Sequence, residues 1–355
     1  MAHWPRRPGE PAWAASAADD NRPRGHRTTG QPKGWGRWSA GKGTGGWCAG
    51  GVAASPVVDP KAVGTGAPAA RGRIVGFFAL AYALSWLWLL PIAAAGGRIV
   101  AGRGWPTHLP ALLAPLAAAV IVTARYDGRA GLADLGRRMV QVRVRLRWWV
   151  FAVSPLLVLA LVLLVDGVAG RALPAAEDFA RFSGVPSGWG TLGVAATIIV
   201  INGFGEETGW RGYALPHLER RHTPLTATLI VAGLWAGWHL PMFLVVDSFR
   251  TFTPAITVGW VIGLFCGAIV LTWLYNHTSS ILLVALWHGT YNIISGTSAA
   301  TGFLAAASTT LVMVLAVTLL VLELRATHAD RASILHPPST SPDTRRTSTD
   351  SPHPG

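Results

Sequence analysis

The feature that most constrains this 355-residue chain is a series of long apolar blocks that carry almost no charge. Each block has about the 20 residues that a helix needs to cross the hydrocarbon core of a bilayer. Charged residues make up only 13% of the chain, against roughly 25% in soluble domains. A soluble globular protein is therefore excluded, and we predict an all-α, polytopic membrane protein.

Eight candidate spans follow one another along the chain. They lie at about 74–95, 108–124, 148–165, 190–218, 224–246, 254–275, 280–297 and 303–322. The second and third are short, so the count depends on these two. The spans form a transmembrane domain at 71–325. Residues 1–70 are basic and rich in Gly, Pro and Trp, whereas 326–355 are rich in Ser, Thr and Pro, and both are predicted to be disordered tails.

The formal charge of +13 is interpreted as a signal of membrane orientation. The loop 125–147 carries seven Arg against Asp127 and Asp134, whereas 166–187 carries two Arg against three acidic residues. Basic loops stay on the cytoplasmic side of a membrane. With an even number of spans, we expect both termini in the cytoplasm and the protein in the cell membrane. No module combines basic and aromatic residues for nucleic acid, so nucleic acid is not an expected partner.

The ionisable side chains singled out inside the spans lie in three of the eight spans. They are Glu206, Glu207 and Arg211 in the fourth, His239 in the fifth, and His288 in the seventh, with the amide of Asn292 one turn further on. Because such groups are costly inside a bilayer, each is a candidate functional residue.

Helix geometry separates the charged residues of the fourth span. Glu207 and Arg211 are four residues apart and share one face, which predicts an ion pair that neutralises both groups. Glu206 is rotated by about 100° from Glu207. It is therefore the carboxylate that we expect to face a cavity, where it would act as a general base.

The remaining polar groups meet at one depth. His288 and Asn292 are four residues apart, as are Trp235 and His239, so each pair shares a helix face. At 1.5 Å per residue from the charged inner ends, Glu206, His239, His288 and Asn292 lie about 21, 24, 14 and 20 Å deep, respectively. Helix-breaking residues nearby predict kinks that open a polar, wet cavity in mid-membrane. These are Pro216, Pro241, Gly203, Gly205 and Gly209.

These residues, in the segments GEETGWRGYALP, LWAGWHLPMF and LWHGTYNIISG, resemble the three motifs of the CPBP family of intramembrane proteases. The family includes the type II CAAX prenyl endopeptidases and bacterial bacteriocin-processing or self-immunity proteins. Its motifs are Glu-Glu-x-x-x-Arg, Phe-x-x-x-His and His-x-x-x-Asn or Asp, and this chain departs from them at Trp235, where the family has Phe. The motifs stand in the family's order in neighbouring apolar spans, and the resemblance covers about 190–297, the predicted protease core.

The resemblance implies that Glu206 and His239 activate a water that attacks the scissile carbonyl, while His288 and Asn292 stabilise the oxyanion. The Glu-Arg pair of the first motif would then shape the site. The implied substrate is a peptide or protein, lipidated in the CAAX branch, and peptide maturation or bacteriocin self-immunity are the roles of the bacterial branch. Nothing in the sequence specifies a prenyl group.

Two other hypotheses compete with a metal-free protease. Glu206, His239 and His288 also form a His₂Glu set of the kind that holds catalytic zinc. The chain lacks HExxH, and Asn292 fits an oxyanion site, so we favour a mechanism without a cofactor. A transporter also uses broken helices and midplane charges, but the two halves of this chain show no convincing repeat.

Overall fold

The computed structural model describes residues 66–328 and 333–335. Within these residues the chain is helical, with two isolated β-bridges and no strand, which confirms the all-α prediction. Most of the predicted tails, 1–70 and 326–355, falls outside the described residues, so their disorder stays a prediction.

The α-helices of the described residues are numbered in chain order. They are α1 (Gly66–Ala94), α2 (Leu109–Leu112), α3 (Ala114–Met139), α4 (Leu146–Ala152), α5 (Ser154–Val168), α6 (Gly190–Thr197), α7 (Gly205–Gly209), α8 (Leu215–Glu219), α9 (Pro224–Trp238), α10 (Met242–Val245), α11 (Asp247–Arg250), α12 (Pro254–Thr278), α13 (Ile281–Ser295) and α14 (Gly302–His328). Two π-helical segments, Ile198–Phe204 and Trp210–Ala214, join α6, α7 and α8 into one long rod. Short 3₁₀ turns lie at Ala176–Ala180 and Ser187–Trp189.

Fewer helices are long and apolar enough to cross a membrane than the sequence suggests. In the described part of the chain, five helices are long and apolar enough to cross a membrane, or six if the bent pair α4–α5 is one span. The predicted count of eight is therefore not confirmed. The two helices that fall short are α3, which turns charged beyond Arg125 and bends at Gly128, and α13, which has only 15 residues.

Side-chain caps define where three helices of the bundle begin. Thr223 accepts a hydrogen bond from Thr226 N at the start of α9, and Thr253 caps α12 in the same way. Ser280 Oγ accepts from Leu283 N and starts α13. These hydroxyls satisfy amides that have no partner within the helix, and proline follows two of them because the first helical position needs no N–H.

Contacts between loops define two ends of the bundle. At one end, which carries the Arg-rich loop 125–147, Ser280 Oγ donates to Gln141 O at 2.7 Å, and Asn276 Nδ2 donates to Glu219 at 2.6 Å. At the other end, Ile99 pairs with Val246 and Ala101 with Ser183.

The Arg-rich and acidic loops thus lie at opposite ends, joined by α4 and α5, as the charge pattern predicts. Which end faces the cytoplasm stays a prediction.

The glycines of the rod allow close packing. A Cβ on Gly203 would lie 2.5 Å from Ala285 O of α13, and one on Gly209 would lie 2.5 Å from Pro115 Cβ of α3. Gly205 approaches Leu112 O of α2 in the same way. These glycines let neighbouring elements approach closely, and Gly203 also lies in the first π-helical segment. The sequence-based expectation that they kink the rod stays a prediction.

Candidate active site

All six site residues predicted from the sequence come together where the rod, α9 and α13 meet. The side chains of Glu206, Glu207, Arg211, His239 and His288 are buried, with at most 8% of each residue exposed, and Asn292 is partly buried. Helix α13 packs along Ile198–Phe204, and this contact sets the histidine of the third motif against the glutamates of the first.

Glu207 lies at the centre of a charged cluster. Arg211 Nη1 donates to Glu207 Oε1 at 2.9 Å, which confirms the predicted pair, and His288 Nδ1 lies 2.7 Å from the same oxygen. Since a carboxylate oxygen only accepts, His288 carries its hydrogen on Nδ1. The ring is thereby oriented with Nε2 on the side away from Glu207. The guanidinium of Arg211 also lies 4.6 Å from the centre of the Trp235 ring.

Glu206 is held by neutral donors. The indole Nε1 of Trp235 donates to Glu206 Oε2 at 2.6 Å, and Asn202 Nδ2 donates to Glu206 Oε1. Our expectation that this carboxylate simply faces a cavity was therefore incomplete, because both oxygens already have a partner. A carboxylate offers about four acceptor positions, so each oxygen keeps one for another donor.

His239 reaches the site through Trp235. Its Nδ1 lies 2.7 Å from the backbone oxygen of Trp235. A carbonyl only accepts, so His239 also carries its hydrogen on Nδ1 and presents Nε2 on the other side of the ring. The rings of Trp238 and Trp260 lie edge-on to His239, with centroids 4.9 and 5.1 Å away. Trp235 thus contacts Glu206 by its side chain and His239 by its backbone.

Asn202 connects the two sides of the site. It was not among the site residues predicted from the sequence. Asn292 Nδ2 donates to Asn202 Oδ1, while Asn202 Nδ2 donates to Glu206. One buried amide therefore links the glutamate of the first motif to the asparagine of the third. A signal was present, because Asn202 is a lone amide in an apolar span, four residues before Glu206. It also lies in a π-helical segment, a feature often found at functional sites.

Trp235 has a role in the site beyond the packing that the sequence suggests. From sequence, its most natural use is packing, since aromatic residues in spans usually pack. The ring is indeed 5% exposed and meets His288 edge-on at 5.5 Å. Its indole nitrogen adds a hydrogen bond to Glu206 that phenylalanine, the residue of the family motif, cannot make.

The zinc hypothesis requires three donors that converge on one point. Among the described residues, no group of three His, Cys, Asp or Glu side chains is placed to hold a metal ion. Glu207 takes Nδ1 of His288 and the backbone oxygen of Trp235 takes Nδ1 of His239, so each ring has Nε2 left for another partner. The mechanism without a cofactor stays a prediction.

Comparisons with known proteins agree with the resemblance drawn from the motifs. Residues 188–294 match a family model described as type II CAAX prenyl endopeptidase Rce1-like. A protein named CAAX prenyl protease 2, from Methanococcus maripaludis, is 26% identical over 193 residues, which are 52% of this chain and 69% of the relative. The matched range contains all three motifs and nearly coincides with the predicted core of 190–297.

Proposed function

Taking residues 188–294 as the protease domain of a CPBP-family member, we propose that this intramembrane endopeptidase cleaves its substrate with a water activated by Glu206 and His239. The observation that carries the proposal is the buried cluster in which Trp235 contacts both residues. Among the described residues no cation is bound to Glu206, so its free acceptor positions are available to a water. A buried carboxylate that keeps a free acceptor position for a water is a suitable general base.

The first step adds water to the scissile carbonyl. Glu206 accepts one proton of the water while the oxygen of that water bonds to the carbonyl carbon. The electron pair of the C=O double bond moves onto the carbonyl oxygen. His239 accepts a hydrogen bond from the same water at Nε2, because its Nδ1 is fixed on the Trp235 carbonyl. When the C–N bond breaks, Glu206 returns the proton to the leaving amine, and its carboxylate is regenerated.

The negative oxygen that forms in this step needs fixed donors. His288 supplies Nε2–H when its ring is protonated, and the carboxylate of Glu207 on its Nδ1 both orients the ring and balances its charge. Asn292 has two amide hydrogens, of which one binds Asn202, so the second is available to the oxyanion. Donors held in place before the reaction are worth about 10² to 10³ in rate each.

The substrate that we propose is a peptide or protein at the membrane. The name of the Methanococcus maripaludis relative makes a prenylated CAAX peptide the first probe. Maturation of a precursor peptide or bacteriocin self-immunity are the other roles within the family. A panel with prenylated, unprenylated and unrelated precursor peptides separates these substrate classes.

The test is a cleavage assay with purified protein, comparing wild type with Glu206→Gln and His239→Ala. We expect Glu206→Gln to lose roughly 10² to 10⁴ in kcat, the usual contribution of a general base. Glu177→Gln is the matched control, because Glu177 lies exposed in a 3₁₀ turn. Full activity in both site variants would refute the mechanism.

Two further arms address the competing hypotheses. Loss of activity with a chelator and its recovery with Zn²⁺ would favour a metal mechanism over the one proposed. Solute flux in proteoliposomes that survives Glu206→Gln, without any peptide cleavage by the wild type, would favour a transporter.

A further inference from the structure

A cleft of about 340 Å³ lies at the Arg-rich end of the bundle, between the end of α3, the loop that follows it and the end of α12. This volume falls within the range of roughly 300 to 1,000 Å³ that small-ligand sites occupy. The lining residues are Asp134, Arg137, Arg138, Val140, Gln141, Val142, Arg143 and Ser279. The cleft is separate from the catalytic cluster and plays no part in the proposed reaction.

The cleft has an excess of positive charge. Three arginines line it against the single carboxylate of Asp134. Arg138 is committed to the protein, with Nη1 donating at 2.6 Å both to Gly212 O and to the Tyr275 hydroxyl. Arg137 binds Asp134 only at the surface, with 75% of its side chain exposed. Arg143 is exposed as well, so two guanidinium groups are accessible to an anion.

The chain beside the cleft alternates apolar and mostly basic residues in the sequence VQVRVRLR, residues 140–147. Its apolar side chains are largely uncovered, with Val140 70%, Val142 52% and Leu146 76% exposed. A group of exposed apolar residues marks a surface that contacts a membrane or a partner, and basic residues interspersed with it suit the interface of a bilayer. The intervening arginines can extend toward the headgroup layer, as long cationic side chains do at membrane boundaries.

We propose that this cleft binds the phosphate headgroup of an anionic phospholipid. Arg137 and Arg143 would contact the phosphate, while the neighbouring valines and Leu146 contact the upper acyl chains. A soluble phosphate or an acidic peptide would use the same charges but would leave the exposed valines in water. The combination of basic and apolar groups therefore selects the lipid.

The cleft is connected to two of the three helical elements that carry the proposed catalytic groups, the rod and α13. Gln141 O accepts from Ser280 Oγ, the same atom that caps α13. Arg138 donates to Gly212 O, in the π-helical segment of the rod that also contains Arg211, the partner of Glu207. A headgroup that orders this loop would therefore stabilise the ends of the rod and of α13.

Binding is tested directly, so the result does not depend on the proposed enzyme activity. The full-length protein in detergent is titrated with phosphatidylglycerol or phosphatidylcholine, and lipid-bound species are counted by native mass spectrometry. We expect tighter binding of phosphatidylglycerol. Arg137→Gln and Arg143→Gln should each weaken it about fivefold, the typical contribution of one basic residue to binding an anionic lipid.

The matched control is the pair Arg125→Gln/Arg129→Gln, which removes the same charge from exposed positions of α3 outside the cleft. Equal weakening by this pair and by the double variant Arg137→Gln/Arg143→Gln would overturn the site in favour of a general effect of charge. Equal binding of the two lipids by wild type would also overturn it. Displacement of phosphatidylglycerol by millimolar inorganic phosphate or by an acidic peptide would assign the cleft to that soluble ligand instead.

Asp134→Asn should raise the affinity for phosphatidylglycerol, a change that misfolding would not produce. It removes the carboxylate that binds Arg137 through Oδ1 and Arg138 through Oδ2, so we expect phosphatidylglycerol to bind several-fold more tightly than to wild type. Weaker or unchanged binding would contradict a phosphate contact at Arg137.

Discussion

Trp235 Nε1 donates a 2.6 Å hydrogen bond to Glu206 Oε2. Trp235 stands where the family motif has Phe, and Glu206 is the proposed general base. Trp235→Phe therefore restores the family's residue type but removes one of the two donors that hold the carboxylate. The backbone contact from Trp235 to His239 is kept, because it uses the carbonyl.

We expect Trp235→Phe to lower kcat roughly ten- to hundredfold with little change in KM. A hydrogen bond to a charged group is worth about 1.5 to 3 kcal/mol, and the lost donor leaves Glu206 less well placed. Steady-state kinetics with a cleaved peptide measures this. Trp287→Phe is the control, because Trp287 is buried and its indole nitrogen has no hydrogen-bond partner among the described residues. Unaltered kcat in Trp235→Phe would show that the bond does not position the base.

Asn202→Leu should lower kcat by a similar factor, because Asn202 bonds to both Glu206 and Asn292. The distinctive expectation is non-additivity. If Asn202 acts by placing Asn292, the double variant with Asn292→Ala should lose much less activity than the product of the two single losses. Thr197→Val is the control on the same rod, since the hydroxyl of Thr197 donates to the backbone oxygen of Gly193 and, within the described residues, to no catalytic group. Multiplicative losses would instead indicate independent roles.

Contacts within one helix were the part of the site that the sequence allowed us to predict. Glu207 and Arg211 are four residues apart, and the α-helical repeat alone brings them together. The same rule relates Asn202 to Glu206. Asn202 was not among the predicted site residues, although an amide in an apolar span is costly to bury.

Contacts between helices could not be predicted in this way. That His288 bonds to Glu207 depends on how α13 is rotated against the rod, and spacing along one chain carries no information about that rotation. The depths expected for Glu206, His239, His288 and Asn292 indicate only a shared band in mid-membrane, which is a weaker statement than a contact. The predicted count of eight spans is not confirmed, because α3 turns charged beyond Arg125 and α13 has only 15 residues.

Arg211→Met should destabilise the protein by about 3 kcal/mol or more, because it leaves the carboxylate of Glu207 buried without its cation. The pair lies 2.9 Å apart, with side chains 1% and 0% exposed. Thermal unfolding in detergent measures the effect. The double variant Arg211→Met/Glu207→Gln should recover part of the loss, since no unpaired charge remains.

The exposed pair Arg98–Asp247 at 2.7 Å supplies the comparison. Asp247→Asn should cost no more than about 1 kcal/mol, because surface pairs are screened by solvent. Equal losses in Asp247→Asn and Arg211→Met would contradict the importance of burial. A double variant less stable than Arg211→Met would show that Glu207 is stabilised chiefly by His288.

Gly209→Ala tests the close packing that places the rod against α3. The new Cβ would lie 2.5 Å from Pro115 Cβ and 2.7 Å from Pro115 O, and a proline backbone has little freedom to move away. Overpacking of this kind costs about 1 to 3 kcal/mol, so thermal unfolding in detergent should occur at a clearly lower temperature. Gly267→Ala in α12 is matched, because Gly267 is buried in a helix but has no atom within 4 Å of the added carbon. There the higher helix propensity of alanine should leave stability unchanged or raise it. Equal destabilisation of both variants would mean that glycine serves helix flexibility at these positions rather than the contact with Pro115.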